Sequence, residues 1–375
     1  MILRYPNKKS EKTILSEPTP KKITPIGPNN NSPNKLIKGD NSSVLKLLGT
    51  DYGLTKKIDL VYIDPPFSTN TIFRASDDRA ATISSSKEDK IAYADDLKGA
   101  EFIEFLRERL ILIRELMSDS ASIYLHIDYK IGHYIKVMMD ELFGINNFRN
   151  DISRVKCNPK NFNRKAYSNI KDMVLFYTKS KNYVWNEPLE KMAEENVARL
   201  FNKIDKNGRR YTTNPLHAPG QTMNGRSGQE WKGMLPPKGR HWRYSPEILD
   251  QLDKQGLIER SKNGVPRKII YADDYGLKRI QDIWEFKDSQ TPSYPTEKPA
   301  GLLDLIIRTS SNRDQIVLDS FCGSGTTLCA AALQERYWIG IDQSDIAIKA
   351  TKKKLSKHEP SLFKNYFTYT YFEEA

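Results

Sequence analysis

An apolar segment followed at once by a glycine-rich turn and a helix-like run constrains this chain most. In residues 316–332, IVLDSFCGSGTTLCAAA, a strand-like run ends at Asp319, Gly323 and Gly325 form a tight turn, and a helix is expected from Thr326. A second apolar strand follows and ends at Asp342. This is the layout of mononucleotide-binding domains, in which glycines let the backbone approach the ligand and the second acid accepts from ribose hydroxyls. The stretch therefore predicts a nucleoside-binding site.

Segments of strand and helix character alternate along most of the chain. DLVYID, ASIYLHI and DMVLFYTK read as strands, and YIKVMMDELFG reads as a helix closed by Gly144. Apolar residues recur at helical spacing between the first two strands and form one stripe, at Ile103, Leu106, Leu110, Ile113 and Met117. Alternating strands and helices predict an α/β fold, a doubly wound and mostly parallel sheet with helices on both faces.

The alternation starts at Leu36, fails near Tyr183 and resumes late in the chain, which predicts a domain interrupted by an insert. The expected divisions are a flexible basic arm at 1–34, a first half of the α/β domain at 35–182, an irregular insert at 183–290, a second half at 291–358 and a tail at 359–375. Scattered Pro, Asn, Lys and Thr without periodicity are the reason for the flexible arm.

Charge and composition limit the kinds of partner and of site that are expected. The net charge of +12 favours a polyanionic partner. Residues 150–275 contain 24 lysines and arginines against 14 aspartates and glutamates, so most of the surplus lies there. No apolar run reaches about 18 residues, so no membrane contact is expected. Three scattered cysteines predict reduced thiols and a cytoplasmic location, with no disulfide framework and no metal site.

The charges around the glycine turn favour a cationic nucleoside. No Lys-Ser or Lys-Thr pair follows the glycines, which excludes a phosphate-gripping P-loop, and Leu328 replaces the third glycine of the dinucleotide fingerprint. Asp319, Asp342 and Asp345 would oppose a diphosphate. S-adenosylmethionine carries a sulfonium and an ammonium against one carboxylate, so it fits this rim better than NAD or ATP.

The stretch VYIDPPFSTN places an acid and two prolines at a strand end. Each proline fixes φ and lacks an N–H, but its carbonyl remains an acceptor. Asp64 and the Pro65 carbonyl, stiffened by Pro66, form a rigid pair of acceptors suited to an –NH₂ group. Phe67 offers a flat face for stacking on a base. The combination predicts a pocket for the exocyclic amine of a nucleobase.

DPPF in the first half, FCGSGTT in the second and a basic insert between them resemble the amino-methyltransferases of DNA. The order, catalytic motif before cofactor motif, resembles their beta class, which includes modification subunits of type III restriction systems. YPTEKPAGLLDLIIRTSSNRDQIVLDSFCGSGTT and GRHWRYSPEILDQL with QDIWEF extend the likeness from about Leu36 to Lys354. The chain is shorter than many type III subunits.

The resemblance implies a role for each half and for individual residues. Residues 35–182 become the catalytic half of a Rossmann-like methyltransferase with permuted motif order, 183–290 the target-recognition insert and 291–358 the cofactor-binding half. Asp64, Pro65, Pro66 and Phe67 match the catalytic motif, whose fourth position is usually tyrosine. The cofactor-binding residues implied are Asp40, Lys298, Asp319, Phe321, Gly323, Gly325, Thr326 and Asp342. Asp40 is equally expected to cap the helix from Ser42.

The basic stretch 208–245 has the residues that a DNA-reading surface needs. It has seven basic side chains and one acid, Glu230, and it interleaves aromatic rings with amides. The rings expected to stack on bases are Tyr211, Trp231, Trp242 and Tyr244. The DNA-binding residues predicted are Arg209, Arg210, Arg226, Lys232, Lys238, Arg240 and Arg243.

The function expected is methyl transfer from S-adenosylmethionine to the N6 amine of adenine in DNA, in a restriction-modification system or as an orphan methylase. Cytosine-N4 methylation, a catalytically silent DNA-binding relative and an RNA or protein amino-methyltransferase are the alternatives. Aspartate at the first position of the DPPF motif favours adenine in this family. A restriction endonuclease partner and a homodimer stay open, and His126 is expected to be structural.

Overall fold

The fold comes from a computed structural model, which describes residues 2–27, 32–66, 99–159, 165–222, 224–275, 277–290, 292, 297–358 and 364–375, and the backbone of 72–75, 80–81 and 90–94. Helices, numbered along the chain, are α1 (Glu11–Ser16), α2 (Asn41–Thr50), α3 (Ala100–Leu116), α4 (Tyr129–Phe143), α5 (Glu194–Leu200), α6 (Pro246–Lys254), α7 (Ala272–Tyr275), α8 (Ala300–Ser310), α9 (Thr326–Leu333), α10 (Asp345–Ser356) and α11 (Lys364–Phe367).

Strands are numbered in the same way. They are β1 (Ile23–Pro25), β2 (Lys35–Lys38), β3 (Ile58–Ile63), β4 (Ile72–Ala75), β5 (Ala80–Ala81), β6 (Lys90–Ala94), β7 (Met117–Ile127), β8 (Phe148–Val155), β9 (Lys171–Thr178), β10 (Leu189–Lys191), β11 (Lys203–Ile204), β12 (Arg210–Pro215), β13 (His217–Pro219), β14 (Arg240–Trp242), β15 (Ile258–Arg260), β16 (Pro266–Tyr271), β17 (Leu277–Arg279), β18 (Ile283–Trp284), β19 (Ile316–Asp319), β20 (Tyr337–Asp342) and β21 (Thr370–Glu374). The chain divides into two compact units, residues 1–188 with 281–375, and residues 189–280.

The first unit is built on one large sheet. Among the described residues its order is β1-β21-β2-β20-β19-β3-β7-β9-β8-β18. The consecutive pairs from β21 to β7 are parallel, as are β8 and β18, whereas β1 and β9 pair antiparallel with their neighbours. The predicted doubly wound, mostly parallel α/β fold is confirmed. Because β2, β20, β19 and β3 are adjacent and parallel, their carboxyl ends open at one edge of the sheet, where such folds bind ligands.

Helix α3 shows why the sheet is covered. Its buried side includes Ile103, Leu106, Leu110 and Ile113, the stripe expected from their spacing. Met117, the last residue of that expected stripe, instead begins β7, and the amide of Met117 closes the helix by donating to the Ile113 carbonyl. The strands β3 and β7 are almost wholly buried, as expected for strands with both faces covered.

The N-terminal 34 residues differ from the flexible arm expected of them. Ser10 caps α1, whose Ile14 is buried, and β1 pairs antiparallel with β21 through Ile23. β21 lies in the range expected to be a tail, yet it occupies the position next to β2. The reason is long-range: two chain segments with few apolar residues each bury them by closing the same sheet edge, which no local pattern reports.

The second unit, Leu189–Ile280, lies inside the expected insert but is shorter than it. β12 pairs with β11 and β16, and β16 with β15, to form a small antiparallel sheet, while β13 pairs with β14. Its core consists of Leu216, Trp231, Trp242, Leu249 and Leu252. Residues 281–290 belong to the first unit because β18 pairs with β8.

Within the described residues, no helix has both the length and the apolar character that crossing a membrane requires.

Candidate active site

A pocket opens at the carboxyl edge of β2, β20, β19 and β3. It encloses about 990 Å³, counted out to open solvent. Most of the residues expected to bind a cofactor or a target base line it. These lining residues are Asp40, Asp64, Pro66, Lys298, Asp319, Phe321, Gly323, Thr326 and Asp342. Gly325 lies in the same turn, Pro65 is buried beside Asp64, and Phe67 lies outside the described residues.

The glycine turn brings backbone to the pocket wall. Gly325 has φ of +74° and caps the start of α9, a conformation that disfavours a side chain. A Cβ on Gly325 would also lie 2.7 Å from Thr351 Cγ2. The Thr351 hydroxyl donates to the Gly323 carbonyl at 2.8 Å and so holds the turn against α10. Turn geometry and close packing therefore both require glycine at 325.

Two carboxylates end the strands beside this turn, Asp319 buried and Asp342 half-buried. Asp342 accepts from the amides of Gly323 and Ser344, each at 2.9 Å, and burial raises the pKa of Asp342. Asp319 accepts from the Phe321 amide at 3.1 Å. Burial raises the pKa of Asp319 to about 7, and the nearby charges of Asp64 and Asp342 add to the shift. The site thus concentrates negative charge that a cation would stabilise.

Asp345, the third acid expected at the rim, does not line the pocket. Its side chain is exposed and forms an ion pair with Lys38 at 2.6 Å. It opens α10, where a negative charge also favours the helix dipole. The sequence could not separate this helix-start acid from the strand-end acids that line the pocket.

Asp64 stands one residue beyond β3 and has two different oxygens. Oδ2 is ion-paired with Lys298 Nζ. Oδ1 is buried and accepts no hydrogen bond from any described residue. A buried acceptor without a donor is costly, so its presence points to a group supplied by a ligand. Lys298, expected near the cofactor, therefore also contacts the acid of the catalytic motif.

Asp40 has both of the roles expected for it as a helix cap and a pocket residue. Its Oδ1 accepts from the amides of Ser42 and Ser43 at 3.0 and 3.1 Å, and its Oδ2 pairs with Arg109 at 3.0 Å. Arg109 is nearly buried, lies over the Phe105 ring at 3.5 Å and lines the pocket. Sequence reasoning missed Arg109, although an arginine between Leu106 and Leu110 beside an apolar stripe is a usable signal.

A second cation lies beside the glycine turn. Lys354, on α10, is ion-paired with Glu297 and donates to the hydroxyls of Ser324 at 3.0 Å and Thr326 at 2.7 Å. Glu297, Ser324 and Thr326 line the pocket. Together with Arg109 and Lys298, this lysine balances part of the pocket's negative charge.

The predicted DNA-binding cations fall into groups with different partners. Arg209 pairs with Asp273 at 2.9 Å, Arg226 with Glu247 at 3.8 Å, and Lys232 with Asp253. Carboxylates therefore offset these three charges within their own unit.

Arg240 and Arg243 bond to neutral groups instead. Arg240 Nη1 contacts His217 Nδ1 at 3.1 Å, and Arg243 Nε donates to the Pro215 carbonyl at 3.1 Å. Burial lowers the pKa of His217, and the charges of Arg240, Arg243 and Arg267 lower it further. Arg210 and Lys238 are exposed.

Two of the four rings expected to stack on bases are core residues. Trp231 and Trp242 are each 2% exposed and meet edge to face at 6.3 Å. Trp231 Nε1 donates to Asp250 and Trp242 Nε1 to the Gln229 carbonyl. Their expected role in base stacking is wrong, because a small unit needs large rings to build its core.

Comparison with known proteins assigns the family. A model of the DNA methylase family matches residues 58–353. The type II methyltransferase M.EcaI of Enterobacter cloacae is 41% identical over 95% of this chain and 78% of its own length. The type III StyLTI Mod subunit of Salmonella typhimurium is 27% identical over 83% of this chain, which spans about half of that subunit.

Solved structures give weaker likenesses. The complex of M1.HpyAVI with SAM is 19% identical with a TM-score of 0.43, over 85% of this chain and 99% of that one. The Thermus thermophilus protein TTHA0409 complexed with S-adenosyl-L-methionine is 13% identical with a TM-score of 0.46, over 91% of this chain and 97% of that one. On the strength of the family match and the M.EcaI relationship, the chain belongs to the DNA methylase family, and the predictions of a DNA methyltransferase and of its cofactor, S-adenosylmethionine, are confirmed.

Proposed function

We propose that the protein transfers a methyl group to the exocyclic N6 amine of adenine in DNA. The observation that supports this most is the free acceptor of Asp64: Oδ1 is buried, lies at the pocket and receives no donor from the described residues. An –NH₂ group has two hydrogens to donate, and Asp64 Oδ1 with the Pro65 carbonyl would accept them. Prolines at 65 and 66 keep donor N–H groups away from this position.

The pocket residues fit the cofactor. Its sulfonium and ammonium would lie among Asp319, Asp342 and the glycine turn, where burial of uncompensated carboxylates favours a cation. Asp342 would accept from the ribose hydroxyls, and Asp40 with Phe105 would contact the adenine end. These residues line the pocket together with Arg109. S-adenosylmethionine supplies the activated methyl group when bound.

The chain's own contribution to catalysis is orientation. The lone pair of an aromatic amine is conjugated into its ring, so the amine is a poor nucleophile. Bonds accepted by Asp64 and Pro65 would pull the nitrogen toward tetrahedral geometry and localise the lone pair along the line of transfer. Lys298 holds Asp64 in place through Oδ2 and leaves Oδ1 for the amine. In duplex DNA the base must leave the stack, at a cost of a few kcal/mol.

Cytosine N4 is the second candidate target. One solved relative is by its own description a cytosine-N4-specific methyltransferase, and both amines offer the same –NH₂ group. Aspartate at 64 favours adenine through the motif resemblance. Nucleoside mass spectrometry of DNA from cells expressing the protein, in a host without its own adenine methylation, distinguishes the two. N6-methyldeoxyadenosine is expected, and N4-methyldeoxycytidine alone would overturn the proposal. Asp64→Ala should strongly reduce the signal.

The remaining assignments concern partners and domains. We assign target recognition to the unit Leu189–Ile280. Of the DNA-binding cations predicted there, four have no described carboxylate partner: Arg210, Lys238, Arg240 and Arg243. A restriction endonuclease partner is supported by the restriction-modification names of the Mod relatives. We also propose that two copies of the protein pair and that the protein is cytoplasmic. Light scattering of the purified chain with and without DNA tests the pairing.

A further inference from the structure

A row of buried polar side chains, linked by hydrogen bonds, spans four neighbouring strands next to the pocket. The Tyr62 hydroxyl on β3 lies 3.0 Å from His126 Nδ1 on β7, and His126 Nε2 lies 3.3 Å from Asp172 Oδ2 on β9. Lys156 Nζ donates to Asp172 Oδ1 at 2.6 Å, and Arg154, on β8, lies 3.6 Å from Oδ2. Tyr62, His126, Arg154 and Asp172 are all nearly or fully buried. The mechanism proposed above assigns no role to these side chains.

The charges of these side chains fix the direction of the hydrogen bonds between them. Burial opposes the charge on Asp172, but the bonds from His126 and Lys156 outweigh it and hold the pKa of Asp172 below its usual range. Asp172 is therefore an ionised carboxylate that can only accept. Burial lowers the pKa of His126, so the ring is neutral at pH 7. Nε2 must then carry the single ring proton, and Nδ1 must accept from the Tyr62 hydroxyl.

That direction matters because Tyr62 is a neighbour of Asp64. Asp64 follows Tyr62 by two positions in extended backbone, so the two side chains leave on the same side, and both line the pocket. After burial, the charge of Asp64 is the largest influence raising the pKa of Tyr62. Without His126, the Tyr62 hydroxyl would be left without its acceptor on the same side of β3 as Asp64 Oδ1, which accepts nothing from the described residues.

We propose that His126 and Asp172 are positioning residues that draw the Tyr62 proton away from Asp64 and so keep Asp64 Oδ1 free to accept the target amine. The inference rests on the proposed function, in which Oδ1 receives that amine. It adds a role for His126 and Asp172, which are not among the residues that line the pocket.

Three variants test this directly. His126→Leu should lower the single-turnover rate of methyl transfer to unmethylated genomic DNA by about 10- to 100-fold, the size of a competing hydrogen bond to a charged group. Tyr62→Phe should lose less of the rate than His126→Leu, since no hydroxyl remains to compete for Asp64. Tyr62→Phe combined with His126→Leu should recover most of the rate lost in His126→Leu alone.

Because Tyr62 and His126 are in contact, the effects of changing them need not add. A purely structural role would instead make His126→Leu lose cofactor affinity together with the rate. That result overturns the proposal, as does a wild-type rate in a folded His126→Leu variant. His126→Gln is the matched control: its amide can donate to Asp172 and accept from Tyr62, and it should retain the rate. Calorimetric cofactor binding by each variant checks folding.

A spectroscopic readout is independent of activity. In protein labelled with ¹⁵N-histidine, the His126 signal, assigned by its loss in His126→Gln, should show a protonated Nε2 and an unprotonated Nδ1 at pH 7. A protonated Nδ1 would overturn the inference. If the wild-type protein methylated no DNA, the proposed function would fail. This measurement would still show the direction of the hydrogen bonds from Tyr62 through His126 to Asp172.

Discussion

The cofactor pocket and the second unit of this protein handle charge in opposite ways. At the pocket, carboxylates end three neighbouring strands, and Asp319 and Asp342 are bonded to backbone amides with no described cation between them. In the second unit, Arg240 and Arg243 are bonded to an imidazole and a carbonyl, again with no described counter-charge. Each region leaves one sign of charge incompletely balanced.

The difference indicates what each region binds. Charges held by neutral groups keep their field and are already oriented, whereas an ion pair such as Arg209 with Asp273 has lost most of its field. The pocket is therefore suited to a cationic nucleoside, and the Arg240 side of the second unit to phosphates. Net charge alone would not have separated the two sites, since it reports only the basic excess.

The largest effect is expected at Asp64. Asp64→Ala removes the free acceptor and should lower methyl transfer by about 1,000-fold, the upper range for losing one pre-oriented hydrogen-bonding group. Cofactor affinity, measured by calorimetry, should persist because the strand-end acids remain. Asp119→Ala, at an exposed position, is the control. Turnover close to wild type in Asp64→Ala would remove Asp64 from the reaction.

The pH dependence of cofactor binding should follow Asp319. Burial raises its pKa to about 7 in the free protein, above the value of 3.8 for an ordinary aspartate. Between these values the folded state retains a proton that the unfolded chain has lost, so the stability contributed by Asp319 falls as pH rises through 7.

A cationic cofactor reverses the preference of Asp319 for its protonated form, because a positive charge stabilises the ionised carboxylate. Cofactor affinity should weaken by about tenfold for each pH unit below 7. In Asp319→Asn the affinity should be lower and almost independent of pH. Titration calorimetry from pH 5.5 to 8.5 makes the comparison, and a flat profile in the wild-type protein would place the cofactor's charge away from Asp319.

The smallest effect is expected in the second unit. Each phosphate contact contributes about 0.9 to the slope of log affinity against log salt, so Arg240→Ala and Arg243→Ala should each flatten the slope by about that amount. Arg209→Ala should change it less, because Asp273 already neutralises Arg209. Fluorescence anisotropy across a salt series measures the slopes. Equal changes in the three variants would remove the distinction between paired and unpaired arginines.

Local sequence patterns predicted many of the residues that line the pocket, but few of the residues that hold them in place. A strand end, a glycine turn and a strand-end acid are short signals, and they correctly grouped Asp64, Gly323 and Asp342 at one edge of the sheet. Arg109 and His126 act through partners on other elements, which only folding brings together.

The aromatic residues of the basic stretch 208–245 also show that local sequence patterns do not report long-range packing. Trp231 and Trp242 occur among cations and amides, a composition shared by DNA-contacting loops and by small cores. Their burial depends on Leu216, between β12 and β13, and on Leu249 and Leu252 of α6, which only folding brings together. Composition predicted the sign of the surface charge but not which rings would be buried.

A crystal structure with sinefungin and an oligonucleotide that contains the unmethylated target site would test the central claim most directly. We predict the N6 amine of a flipped adenine at hydrogen-bond distance, about 3 Å, from both Asp64 Oδ1 and the Pro65 carbonyl. An amine bonded to other groups, with Oδ1 still lacking a donor in the complex, would contradict this claim.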